Sequence, residues 1–165
     1  MDIHIFWEGP WSLEDLSEIK NEEKDFGVYQ IYGFHPLYGN SVLLYIGQAI
    51  NQTFGVRIFQ ESWTSNEDSE NIEIYVGRLA SQKSITEDEW NRRIDQSEKL
   101  LIYAHSPAYN TQNTRSIPDA YILKNHIFNW NSRRDLFPEV SGCRYTSKFD
   151  HLTETKIINI NNIIA

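Results

Sequence analysis

The chain has 165 residues, is 40% hydrophobic and carries five Trp, nine Tyr and eight Phe, a composition that suits one ordinary globular domain and excludes a disordered one. Its formal net charge of -8 argues against a surface that is positive throughout, because affinity for nucleic acid comes largely from neutralising phosphates. A single cysteine, Cys143, excludes an internal disulfide framework and a multi-cysteine zinc site, and no apolar run approaches the roughly 18 residues of a spanning helix.

Met1-Asp2-Ile3-His4 lacks the basic and apolar regions of a signal peptide, so the expected compartment is the cytoplasm, with no membrane partner. Residues 3–7 alternate as a short strand, ended by Gly9-Pro10. Ser12 with Asp15 three residues on reads as a capping box opening a short helix. Two apolar, aromatic-rich runs follow at 27–32 and 42–46, separated by a polar connector holding Pro36, Gly39 and Asn40, which predicts a hairpin with a long turn. A helix is expected over 53–62. At about 100° per residue Arg57 and Glu61 lie beside its apolar face, and Gly55 costs it stability.

The stretch 62–70 is polar and acidic, and 71–79 alternates as a third strand. Thr86 as N-cap with Glu89 at N3 opens a helix over 86–104 whose apolar stripe is Trp90, Ile94, Leu101 and Ile102. Glu98 falls in the middle of that stripe. A carboxylate there is expensive unless it is paired or binds a cation, so two readings stand: an ion pair or loop cap, and a metal ligand facing a cleft. Pro107 makes 105–110 a turn, and His105 reads as a structural hydrogen-bonder. Residues 120–130 suggest one or two strands, 136–140 an edge segment, and 155–165 a strand or short helix. Charge is uneven. Acids crowd Glu14 to Asp25 and Glu67 to Glu73, whereas Arg115, Lys124, Arg133, Arg134, Arg144 and Lys148 outnumber Asp119, Asp135 and Glu139. A local basic face is therefore open to an acidic protein, although scattered cations are commonly solvated surface.

The order Gly27-Val28-Tyr29, Tyr45-Ile46-Gly47, Arg57, Glu98 and Asn110 resembles the GIY-YIG nuclease superfamily over residues 26–112. The expectation is a single α+β domain over 1–165. Its small mixed or antiparallel sheet would be flanked by helices, with 1–25 and 113–165 as extensions packed on the 26–112 core. The resemblance implies an endonuclease that hydrolyses DNA phosphodiesters with one Mg²⁺ or Mn²⁺ ion held by Glu98. It implies Tyr29 as water-activating base, Tyr45 as a second phosphate or water contact, and Arg57 on the phosphate. Gly47, Gln48 and Asn110 would support the site. These residue types suit the reaction. A metal supplies a Lewis acid, an arginine a permanent planar cation for phosphate, and a tyrosine a base if nearby positive charge lowers its pKa from about 10.

Two positions depart from the family pattern. Gln48 stands where a lysine is common, and Glu61 where His or Tyr is common. Glu61 could neutralise Arg57, act as an alternative general base, or be a second metal ligand. Taken singly, the tyrosines could be packed rings, Arg57 an ion-pair partner of Glu61, and Gly47 and Asn110 turn residues. The alternative to an enzyme is an inactive member of the same fold that binds nucleic acid or protein. A second copy of the chain, or another protein, stands open as a partner.

Overall fold

A computed structural model of the chain describes residues 1–61, 63, 71–80, 85–116 and 118–145. The architecture is α+β. Six strands, β1 (Asp2–Trp11), β2 (Gly27–His35), β3 (Gly39–Ala49), β4 (Glu73–Leu79), β5 (His126–Asn131) and β6 (Glu139–Ser141), form one sheet in the order β3-β2-β4-β1-β5-β6. Every neighbouring pair is antiparallel except β1 with β5, so the sheet is mixed. The described residues also form two α-helices, α1 (Phe54–Gln60) and α2 (Glu87–His105), and 3-10 segments at Glu14–Ile19, Ile122–Lys124 and Gly142–Tyr145. The flanking segments do more than cover a finished core: β1, β5 and β6 make half of the strands.

Strand β2 lies inside the sheet and is buried from Gly27 to Gly33, so its alternation sorts residues between two cores. On one face Ile5, Trp7, Val28 and Ile46 join Ile94, Leu100 and Leu101 of α2. On the other, Tyr29, Ile31 and Val76 join Phe54 and Ile58 of α1 and Leu16 and Ile19 of the first 3-10 segment. Each such aliphatic side chain, fully buried, contributes about 1.5–3 kcal/mol. The β2–β3 register slips between Ile31 and Tyr32, which turns Leu44 as well as Tyr45 towards the α1 face.

Several boundaries differ from the sequence expectation. Strand β1 does not stop at Gly9-Pro10 but runs to Trp11, with a cis peptide at that pair and a register shift after Glu8. Pairing with β5 ends at Trp7, so Pro10 withholds no N–H that β5 needs. At Ser12 half of the capping box forms. The Asp15 carboxylate accepts from the Ser12 N–H (2.9 Å) and hydroxyl (2.7 Å), and the helix it opens is 3-10. Helix α1 is shorter than 53–62. Gly55 is needed in it because a Cβ there would lie 2.0 Å from the Leu16 carbonyl oxygen. Of the two strands considered in 120–130 only β5 is one; Ile122–Lys124 is a 3-10 turn.

The expected α2 is present from Glu87 to His105, and the Thr86 hydroxyl accepts from the Glu89 N–H at 3.3 Å. His105 is structural. Nδ1 donates to the Leu101 carbonyl and Nε2 accepts from the Phe137 N–H, both at 2.9 Å, and burial holds its pKa below the ordinary value. Most of the 62–70 stretch, Lys148 and the 155–165 tail lie outside the described residues. Among the described residues no helix is long and apolar enough to cross a membrane.

Candidate active site

The β2–β3 ladder sets Tyr29 opposite Gly47 and Ile31 opposite Tyr45, so the two tyrosines are diagonal neighbours on the α1 face. Their rings lie 6.2 Å apart at 38°. Gly47 is what permits this. A Cβ there would sit 2.4 Å from both Cζ and Oη of Tyr29 and 2.7 Å from Cε1 of Tyr45. The Tyr29 ring therefore lies directly over the β3 backbone, and the residue opposite must have no side chain.

Helix α1 carries Arg57, and Glu61 stands one turn on at its C-cap. Arg57 Nη2 is 2.9 Å from Glu61 Oε1, the i,i+4 pair that the spacing allows. The Arg57 side chain is 42% exposed and that of Glu61 only 16%, so the guanidinium reaches solvent across a carboxylate held inside. Two more donors hold Glu61: the Tyr45 hydroxyl to Oε1 at 3.5 Å and Trp63 Nε1 to Oε2 at 3.3 Å. The Tyr29 hydroxyl is sealed from solvent and makes no well-formed hydrogen bond, although Glu61 and Arg57 are near enough to act on its titration. Burial, reinforced by Glu61, pushes the Tyr29 phenol far up, and the same causes push Tyr45 up to about 12. That environment is the opposite of what a tyrosine base requires.

Glu98 projects from α2, which packs against β3, and sits half-buried beside the apolar stripe, whose buried positions include Ile94, Ser97 and Leu101. Among the described residues it has no ion pair and no hydrogen bond. Burial raises its pKa to about 7; Asp95 and Glu61 add to the rise, while Lys99 and Arg57 oppose it. Lys99 is itself paired with Asp95 at 2.8 Å. The charge of Glu98 is felt at Tyr45, and those of Glu61 and Arg57 at Glu98. Tyr29, Tyr45, Arg57, Glu61 and Glu98 thus form one electrostatic neighbourhood. Gln48 shares a recess of about 460 Å³ with Arg57, Ile50, Asn51 and Gln52, and its Oε1 is buried without a donor.

Comparison with protein-family models, with curated proteins and with solved structures returns no match.

Asn110 acts through backbone rather than through the reacting groups. Its Oδ1 accepts from the Ile46 N–H and its Nδ2 donates to the Ile46 carbonyl, both at 2.9 Å. Ala108 and Tyr109 donate to the carbonyls of Leu43 and Leu44, so 108–110 clasps the outer edge of β3 on either side of Tyr45. Asn110→Ala leaves a backbone donor and acceptor without partners and is expected to cost about 2 kcal/mol in urea unfolding. A loss below a few tenths would mean that water replaces the amide.

The sequence reading missed Trp63. It sits among polar residues with no periodic pattern, and its one signal is being a tryptophan in an otherwise acidic stretch. It is buried, 5.7 Å from the Tyr45 ring, and fixes the far oxygen of Glu61.

Proposed function

We propose that the protein is a metal-dependent endonuclease of the GIY-YIG type that hydrolyses DNA phosphodiester bonds. The observation that carries this reading is Glu98, a half-buried carboxylate without a hydrogen-bond or ion-pair partner among the described residues, set in the field of Arg57 and near the Tyr45 hydroxyl. A hard oxygen donor of this kind fits Mg²⁺ or Mn²⁺, since Mg²⁺ keeps several waters and takes one or two carboxylates. Among the described residues no group of three or more His, Cys, Asp or Glu could form a closed cage. A divalent cation on Glu98, when bound, supplies Lewis-acid stabilisation of the leaving oxygen.

The chain's own groups divide the remaining work. Arg57 engages Glu61 through Nη2 and has further N–H donors for phosphate oxygens, a planar fork suited to the charge that grows there. Glu61 lies within reach of both Arg57 and the Tyr45 hydroxyl, and we assign it the proton of the attacking water. Tyr45, held neutral by burial, orients that water or the phosphate as a hydrogen-bond donor, and Tyr29, sealed from solvent, packs beside the Tyr45 ring and holds it in place. This moves the base from Tyr29 to Glu61, in keeping with the direction of the tyrosine shifts.

A second reading, a nucleic-acid-binding module without catalysis, is favoured by the Arg57–Glu61 pair and the sealed Tyr29 hydroxyl. Nicking of supercoiled plasmid with Mg²⁺ or Mn²⁺ separates the two. The nuclease reading expects nicking that disappears in Glu98→Ala and falls in Tyr45→Phe. DNA binding without nicking on varied substrates selects the module, and nicking that survives Glu98→Ala removes Glu98 as the metal ligand.

A further inference from the structure

A chain of aromatic rings runs from the tip of the β2–β3 hairpin to the candidate active site. Tyr38 stacks on His35 at 4.6 Å, and His35 meets Tyr109 at 5.1 Å. Tyr109 stacks on Trp63 at 6.4 Å, Trp63 meets Tyr45 at 5.7 Å, and Tyr45 meets Tyr29. The outer end is open, with Tyr38 65% and Tyr109 42% exposed, and the inner end is closed at Trp63 and Tyr29.

The outer rings stand on fixed backbone. His35 Nδ1 accepts from the Leu37 and Tyr38 N–H groups at 3.2 and 3.3 Å, and the Tyr109 N–H is bonded to the Leu44 carbonyl. Rings held this way lose little freedom on binding a planar partner. The recess holding Gln48 and Arg57 flanks one end. Another of about 440 Å³, lined by Tyr38, Leu43, His105, Asn110 and Arg115 among others, flanks the other end. On a chain of net charge -8, neither recess is lined by a carboxylate among the described residues, and each contains an arginine.

We infer that this track binds an unpaired nucleic-acid strand, with bases stacked on Tyr38 and Tyr109 and phosphates facing Arg115 and Arg57. A base paired in a duplex already has both faces stacked and offers none to Tyr38, whereas an unpaired base of any identity does. A protein segment would gain nothing from two arginines on an acidic chain unless it were itself acidic. The direction of the strand, towards Glu98, rests on the nuclease reading; the binding does not.

The test is fluorescence anisotropy of the full chain without divalent metal. The probes are a labelled oligothymidylate of about ten nucleotides, the matching oligouridylate and a blunt duplex. The expected result is tighter binding of single strands than of duplex, weakened about tenfold by Tyr38→Ala and by Tyr109→Ala. Tyr38→Phe and Tyr109→Phe keep the affinity, as does Leu37→Ala next to the stack. The two oligomers tell DNA from RNA. Wild-type protein that ignores single strands, or alanine variants that bind them as wild type does, overturns the inference. Because Tyr38 is exposed at a hairpin tip, its variant tests binding without threatening the fold. Plasmid nicking with no single-strand preference leaves the nuclease and removes the track; binding through Tyr38 and Tyr109 without nicking does the reverse.

Discussion

Glu98→Gln is expected to give a protein that is more stable and catalytically dead. The Glu98 carboxyl titrates near 7 in the folded chain against an ordinary 4.5, chiefly because burial disfavours its charge. The unfolded chain gives up that proton first, so folded stability declines as pH rises from about 4.5 to about 7 and is flat above. A glutamine does not titrate. The variant should therefore gain on wild type through that window and lead by about 3 kcal/mol at pH 8. Urea unfolding at pH 5.5 and pH 8 reads the gap directly. Added Mg²⁺ should narrow it by stabilising only the protein that keeps its carboxylate. Nicking should fall by at least about 100-fold, the scale of removing one group that stabilises transition-state charge. A lead over wild type no larger at pH 8 than at pH 5.5 would mean that Glu98 has a protein partner in solution.

Gly47→Ala carries the largest stability cost that the site predicts. On propensity alone the change should help, by about 0.5–1 kcal/mol, because glycine loses more freedom on folding. The collision opposes that gain. The new methyl would lie 2.4 Å from the Tyr29 ring, which is fully buried and has nowhere to go. Overpacking of this kind costs about 3 kcal/mol, so the net effect is destabilising. A double-mutant cycle with Tyr29→Leu isolates the cause. Removing the ring should cost less in the alanine background by more than about 1 kcal/mol. Additive effects would place the strain at the Tyr45 ring, 2.7 Å from the new methyl, instead.

What could be read from the chain follows from what each signal physically is. The hairpin, α2 and the Thr86 cap were legible because period and capping are local properties, and the glycine–tyrosine pairs marked the strands that carry the site. Three features were not local. Asp25, one of a crowd of acids, is fully buried and accepts from Arg78 at 2.6 and 3.1 Å, a partner 53 residues away. The place of β1 between β4 and β5 depends on a parallel pairing that no turn announces. The burial that raises Tyr29 comes from α1 and β3 closing over it, so its titration cannot be read from an aromatic residue in an apolar strand.

The clasp of 108–110 on β3 has a consequence for recognition. The outer edge of β3 is the flank of the sheet nearest the tyrosine pair, and its backbone groups at Leu43, Leu44 and Ile46 already have partners. A polypeptide that docked there by extending the sheet would have to evict Asn110, and with it the tether that holds Tyr45 and Gly47 in register. Strand addition at this flank and the catalysis proposed at the tyrosine pair therefore exclude one another. The same short turn that seals the sheet against unwanted association is the point from which the site could be switched off.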